Sequence, residues 1–155
     1  MRQHKYNAQS QKGKRSKLET ACELLLNENG LFFEYEQHKI QLVQSFKFCS
    51  FEAVKGEIKE QCAVREMTYT PDFVGKGFDW VIETKGMKTP DFMLKWKLFK
   101  QWLSTHSPHT RAYICHSQKD IKSTISHIKC PEVIENLELK KNLKSTEKQL
   151  GVFGD

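Results

Sequence analysis

Two acidic residues lie within a pair of apolar, β-prone segments in the middle of this chain. The first segment runs over residues 71–74 and the second over residues 78–84, with a glycine-rich break between them. This arrangement predicts an antiparallel hairpin. Because side chains alternate along a strand, Glu83 and Lys85 would share a face, and the hairpin would bring Asp72 close to Glu83.

Two adjacent carboxylates and a lysine suit phosphodiester cleavage. Asp72 and Glu83 can hold a divalent cation through oxygen ligands, and the backbone carbonyl of Thr84 is a natural further ligand. Lys85 could position a water molecule or stabilise charge that develops on the phosphate. A surface salt bridge between strands is the competing interpretation, since Asp, Glu and Lys are common residues and a pattern of this kind often occurs by chance. The desolvation cost of acids in apolar strands favours function.

Glu19 is a further acidic candidate, with two roles open to it. Ser16 followed by Glu19 has the spacing of a capping box, and apolar residues at helical intervals predict a helix over 17–28. In that case Glu19 caps the helix. A helix packed against the hairpin could also direct Glu19 at the same metal.

The other elements predict an α/β fold with a mixed β-sheet flanked by helices. Residues 31–43 are β-rich and contain Glu34 and Glu36, which we expect to face solvent. The pattern further predicts strands over 46–54, 61–69 and 111–116, a helix from Thr89-Pro90 to about Ser104, and a helix from Ser117 through His127. A right-handed crossover would join the strand after the long helix to the sheet.

The formal charge of +6 is concentrated at the N-terminus. Six of the 25 basic residues lie within residues 1–17, which contain no acid, and the other 19 balance the 19 acids. Residues 1–15 therefore predict a flexible basic arm, followed by a domain over 16–130 to which a C-terminal helix or tail, 131–155, belongs. Such an arm suits a polyanion, although a solvated terminus explains it as well. The expected DNA-contacting residues are Lys12, Lys14, Arg15, Lys88 and Lys95.

The cysteines and the hydropathy bear on the compartment. The five cysteines form no CxxC pair and are odd in number, which predicts reduced thiols and a cytoplasmic protein. No apolar run approaches the roughly 20 residues that span a bilayer. No apolar segment follows the basic N-terminus, so we expect neither a secretory signal nor a membrane partner.

Four sequence motifs, in this order, resemble the PD-(D/E)XK nuclease superfamily, and within it the small phage endonuclease I resolvases of Holliday junctions. They are S-K-L-E at 16–19, F-E-Y-E at 33–36, Y-T-P-D-F at 69–73 and V-I-E-T-K-G at 81–86. The segment T-P-D-F-M-L-K-W-K-L-F at 89–99 is also similar to small phage endonuclease-like proteins. The resemblance implies a restriction-endonuclease-like core, catalytic Glu19, Asp72, Glu83 and Lys85, Mg²⁺ or Mn²⁺ as cofactor, and the host cytoplasm if the chain is phage-encoded.

The expected function is therefore metal-dependent endonuclease cleavage of branched or structured DNA, without a small-molecule cofactor. A nuclease or nickase on linear duplex and a non-catalytic nucleic-acid-binding module of the same fold are the alternatives. A symmetric junction would favour a homodimer, although no sequence element requires one. The segment between Gln41 and Tyr69 is longer than the connector that bridges the swapped resolvase dimer, and it predicts a hairpin of its own.

Overall fold

The computed structural model describes residues 16–130, so the predicted arm (1–15) and C-terminal segment (131–155) lie outside the described residues. The described chain is a mixed α/β structure. Its helices are α1 (Lys17–Glu28), α2 (Pro90–His106) and α3 (Gln118–Lys129). Its strands are β1 (Phe33–Tyr35), β2 (Ile40–Val43), β3 (Phe46–Val54), β4 (Glu57–Val64), β5 (Met67–Tyr69), β6 (Phe73–Gly75), β7 (Trp80–Thr84) and β8 (Arg111–Cys115).

The main sheet has the strand order β1-β6-β7-β8. Strand β6 is antiparallel to both of its neighbours, β1 and β7, and a short 3₁₀ turn at Lys76–Phe78 joins β6 to β7. Strand β8 pairs with β7 in parallel after helix α2. The predicted hairpin and the predicted mixed sheet flanked by helices are both confirmed.

Side-chain caps determine where the three helices begin. The hydroxyls of Ser16, Thr89 and Ser117 each accept a hydrogen bond from the backbone N–H three residues later. Helix α1 spans 17–28 as predicted, whereas α2 and α3 each continue two residues beyond the predicted ends, to His106 and Lys129.

The alternation of side chains along the central hairpin produces two apolar cores. Phe73 and Ile82, which are register partners, point toward α1 and α3. Val74 and Val81 point to the other face, where they meet α2 and the pair β2–β5. The predicted apolar face of α2 is confirmed, because its buried residues are Phe92, Trp96, Phe99 and Leu103.

Two β-rich segments are divided between sheets, which the sequence did not indicate. Residues 31–43 form β1, in the main sheet, and β2, which pairs with β5. Residues 61–69 were predicted as one strand but contribute to β4 and β5, which have different partners. Strands β3 and β4 form a separate two-stranded ribbon. Lys55 and Gly56 at its tip have φ of 53° and 85°, the positive values that a two-residue hairpin turn of type I′ needs.

The prediction that all cysteines are reduced is wrong for two of them. Cys49 and Cys62 form a disulfide across the ribbon, whereas Cys22, Cys115 and Cys130 are free. The bonded cysteines are 13 positions apart in the sequence, and the pairing of the two strands brings them together. In the part of the chain that the structure describes, no helix has the length and apolarity needed to span a membrane.

Candidate functional site

Asp72 lies just before β6 and is oriented by Thr84 of the adjacent strand. Its Oδ2 accepts hydrogen bonds of 2.7 Å from both the backbone N–H and the hydroxyl of Thr84. Burial raises the pKa of Asp72, and the nearby charges of Glu19 and Glu36 raise it further, while the two Thr84 hydrogen bonds oppose the shift. The carboxylate is thus fixed in place within a cluster of like charges.

Glu83 lies on β7 and is almost completely buried, with 5% of its surface exposed. The Tyr69 hydroxyl donates a 2.6 Å hydrogen bond to its Oε2. Burial, followed by the charge of Asp72, raises the pKa of Glu83 from 4.5 to about 7, against the opposing effects of Tyr69 and Lys85. A carboxyl with a pKa near neutrality is typical of functional sites, although buried ion networks also produce one.

Lys85 follows β7 directly and lies on the same side of the sheet as Glu83. Its Nζ is 3.9 Å from Glu83 Oε1 and 4.7 Å from the centroid of the Phe92 ring on α2. Its backbone N–H donates to the carbonyl of Cys115, and its carbonyl contacts the His116 ring. Main-chain bonds to the end of β8 therefore position a lysine whose side chain remains one-third exposed.

Glu19 takes part in the helix cap and in the acidic cluster. Its backbone N–H donates to the capping Ser16 hydroxyl, while its carboxylate accepts a 2.7 Å hydrogen bond from the Tyr35 hydroxyl. Its charge contributes to the raised pKa of Asp72. The helix that packs on the sheet thus brings Glu19 into electrostatic range of Asp72.

Three residues of this region were not predicted as part of the site. The hydroxyl of Tyr35 donates to Glu19 and that of Tyr69 donates to Glu83. Both tyrosines belong to the quoted sequence motifs, but neither was predicted to have a role. Glu36 was expected to be a solvent-facing strand residue, and it is exposed, but β1 ends at Tyr35. Glu36 instead has a φ of 47°, and its N–H donates to the Asp72 carbonyl, which brings its charge toward Asp72. Each tyrosine bonds an acid of a different motif, so the spacing within a motif gave no signal of these pairs.

The predicted DNA-contacting residues fall into two groups. Lys12, Lys14 and Arg15 lie outside the described residues. Lys88 is exposed in the turn between β7 and α2, two residues beyond Gly86. Lys95 forms an ion pair of 3.2 Å with Asp91 on the same helix. Lys88 thus lies in the connection that leads out of the acidic site, whereas Lys95 lies within α2 and pairs with Asp91.

The donor chemistry of the site fits a hard divalent cation. The charge of Asp72 interacts with three other carboxylates, those of Glu19, Glu36 and Glu83, and Lys85 lies 3.9 Å from Glu83. Oxygen ligands of this kind suit Mg²⁺ or Mn²⁺, and a cation would offset their repulsion. Within residues 16–130, however, the carboxylate oxygens of no three of these acids lie within 4.8 Å of one another.

The closest grouping of metal-binding side chains within residues 16–130 lies elsewhere. It consists of Cys49, Glu60 and Cys62, whose ligand atoms are all within 4.8 Å of one another. The two sulfurs are bonded to each other, so neither is available as a thiolate. No three of the predicted acids meet the same distance limit in this part of the chain.

The fold and the site together define a mixed α/β protein with an acidic cluster and one lysine at the edge of its central hairpin. No protein-family model, curated protein or solved structure matches this chain.

Proposed function

We propose that this chain is a metal-dependent DNA endonuclease with a restriction-endonuclease-like core of the PD-(D/E)XK type. The observation that carries the proposal is the pair Asp72 and Glu83. Both are held in or near apolar strands by defined hydrogen bonds, and Lys85 lies 3.9 Å from Glu83. Burying Glu83 and partly burying the neighbouring Asp72 opposes folding, so a function that needs both acids accounts for their position.

Asp72, Glu83, the Thr84 carbonyl and Glu19 are the groups that would hold the metal. A bound Mg²⁺ or Mn²⁺ activates water and neutralises phosphate charge. Thr84 orients the Asp72 carboxylate through two hydrogen bonds to one oxygen, and Tyr69 orients that of Glu83 through one. The side chain of Lys85, which is still partly exposed, can reach a water molecule or a phosphate oxygen.

DNA is the proposed substrate because of the charge distribution. The excess positive charge lies in residues 1–17, and Lys88 adds an exposed cation close to the site. Branched DNA, cut as by a Holliday-junction resolvase, is the more specific proposal and comes from the motif resemblance. Linear duplex is the alternative substrate for the same chemistry.

The test is incubation of the full chain with Mg²⁺ or Mn²⁺ and equal amounts of a four-way junction, a flap and a plain duplex. We expect cleavage that Asp72→Ala and Lys85→Ala reduce at least about 100-fold. Asp79→Asn is the matched control, because Asp79 is an exposed acid at the opposite end of the same hairpin. The proposal would be refuted if the unaltered chain cut none of the three substrates and Asp72→Ala behaved in the same way.

A non-catalytic nucleic-acid-binding module is the second candidate function. The observation that favours it is the spacing of the acids, no three of which come within 4.8 Å in the described residues. On this alternative, Glu83→Ala leaves DNA affinity unchanged and no substrate is cut. Neutralising Lys12, Lys14 and Arg15 then abolishes binding, which a salt-dependent mobility shift would measure.

A further inference from the structure

The ribbon of β3 and β4 gains little support from the two apolar cores. All residues of β3 except Val54, and all of β4 except Cys62, are exposed. Neither core includes a side chain from this ribbon. An isolated two-stranded ribbon is only marginally stable in water. A link between its two strands therefore matters more here than it would in a packed sheet.

A β-bulge in the ribbon brings two cysteines opposite each other. The register shifts between Lys47 and Ser50 on β3. Within this shift two residues, Phe48 and Cys49, oppose Cys62 alone on β4. Without the extra residue, Cys62 would face Phe48. Bulges redirect side chains in this way and are frequent next to functional sites.

The Glu60 carboxylate is directed at this pair of sulfurs. Glu60 lies two residues before Cys62, on the same side of β4, and its Oε1 is 3.4 Å from Cys62 Sγ. A disulfide sulfur carries no proton, so this contact is not a hydrogen bond. Glu60 takes part in none of the ion pairs within residues 16–130. Its oxygen is therefore placed as a ligand atom and not as half of a salt bridge.

Reduction of the disulfide leaves three ligands at distances that suit a metal. The ligand atoms of Cys49, Glu60 and Cys62 all lie within 4.8 Å of one another. Around a tetrahedral zinc ion, with Zn–S of about 2.3 Å and Zn–O of about 2.1 Å, neighbouring ligand atoms are about 3.6–3.8 Å apart. The Glu60 oxygen is already near that distance from Cys62. The two sulfurs reach it by side-chain rotation once their bond is broken.

We propose that the reduced ribbon binds one zinc ion through the Cys49 and Cys62 thiolates and the Glu60 carboxylate, with water as the fourth ligand. Thiolates are soft ligands that select zinc, whereas Mg²⁺ and Mn²⁺ prefer oxygen ligands such as those of the acidic cluster. The ion takes the place of the disulfide as the link between β3 and β4. The proposal is independent of nuclease activity.

The change from disulfide to zinc site is a two-electron reduction followed by metal binding. A dithiol reductant passes two electrons and two protons to the bonded sulfurs and itself becomes a disulfide, so the S–S bond is replaced by two S–H groups. Zinc then displaces both thiol protons, which pass to solvent, and forms two Zn–S bonds. Cys49 is exposed, so a reductant can reach it. The disulfide thus holds the ribbon under oxidising conditions, and zinc holds it under reducing ones.

The test is titration of the full chain with Co²⁺, which replaces zinc and absorbs light when cysteine thiolates bind it. The chain is first reduced with a phosphine in anaerobic buffer, and the phosphine is then removed. We expect a thiolate-to-cobalt charge-transfer band that saturates at one equivalent and that Zn²⁺ abolishes by displacing Co²⁺. The disulfide form should give no such band, and the oxygen ligands of the acidic cluster cannot produce it.

Single substitutions identify the ligands. Cys49→Ser and Cys62→Ser should each lose the band, whereas Cys130→Ser, which removes a free cysteine outside the ribbon, should keep it. Glu60→Gln should weaken Zn²⁺ binding at least about 10-fold, because even changes to residues that only orient a ligand cost about that much. Glu57→Gln, at an exposed acid of the same strand, is the matched control and should bind Zn²⁺ normally.

A second measurement needs no variant. At a Zn²⁺ concentration about ten times its dissociation constant, alkylation of Cys49 and Cys62 in the reduced chain should slow about 10-fold, while that of Cys130 is unchanged. Peptide mass spectrometry resolves the three sites. The proposal would be overturned by a reduced chain that gives no band, by a band that survives Cys49→Ser, or by Glu60→Gln with unchanged affinity. Equal alkylation of Cys49 with and without Zn²⁺ would overturn it as well.

Discussion

At the scale of single residues, the burial of Glu83 has a direct effect on stability. The pKa of Glu83 is about 7 in the folded chain, against 4.5 as its ordinary value. Between these pH values the folded state binds a proton that the unfolded state has released, so stability falls as pH rises. The full shift corresponds to about 3 kcal/mol lost between pH 4.5 and above pH 7 in metal-free buffer.

Glu83→Gln should therefore stabilise the chain at pH 8 and leave it little changed at pH 4. The amide keeps the size of the side chain but cannot ionise. Urea unfolding in EDTA at several pH values would measure the difference. The unaltered chain should lose stability as pH rises from about 4.5 to above 7, and Glu83→Gln should lose much less over the same range. Asp72, whose pKa is also raised, should leave a residual slope of the same sign. Glu57→Gln, at an exposed acid of the ribbon, is the control. Equal slopes for the unaltered chain and Glu83→Gln would contradict this account.

At the scale of elements, the sequence predicted those whose signals are local. Helix α1 and the hairpin carry their own caps, periodicity and turn residues, which is why both were confirmed. The division of residues 61–69 between β4 and β5 could not be predicted, because long-range partners determine it. Asp72, Glu83 and Lys85 lie together because a single local hairpin carries them. The tyrosines that hold the acids were missed because Tyr35 is 16 residues from Glu19 and Tyr69 is 14 from Glu83.

The disulfide of the β3–β4 ribbon leads to a prediction about the number of reactive cysteines. Cys22, Cys115 and Cys130 are free in the structure. Burial raises the pKa of the Cys115 thiol, and it raises that of Cys22 to about 12. Labelling of all three therefore requires denaturation. Alkylation in denaturant without reductant should add three labels by mass spectrometry, and prior reduction should raise the number to the five cysteines of the chain.

Single serine variants make the disulfide assignment specific. Cys49→Ser should raise the unreduced label number by one, because it frees Cys62 while removing a cysteine that did not react. Cys130→Ser should lower the number by one, because Cys130 is already free. Five labels on the unaltered chain without reductant would mean that the thiols are reduced, as the sequence alone had predicted.

At the scale of the whole molecule, the acidic cluster draws on widely separated parts of the chain. Glu19 comes from α1, Glu36 from the turn after β1, Asp72 from the start of β6 and Glu83 from β7. Burial and neighbouring negative charge disfavour the ionised forms of Asp72 and Glu83. A cation bound by several of the four carboxylates would join these elements and stabilise the fold as a unit, because it binds the folded state in preference to the unfolded one.

Mn²⁺ should consequently raise the free energy of unfolding by about 2.7 kcal/mol at a concentration 100 times its dissociation constant. The effect should be larger at pH 8 than at pH 5.5, because Glu83, with a pKa of about 7, must release its proton before it binds metal. Asp72→Asn and Glu19→Gln should each reduce the stabilisation, whereas Glu28→Gln, an exposed acid at the end of α1, should not. Thermal unfolding with and without Mn²⁺ at both pH values measures all four proteins. Equal stabilisation of every variant would assign the metal to another site, and stabilisation of none would remove the metal from the proposed mechanism.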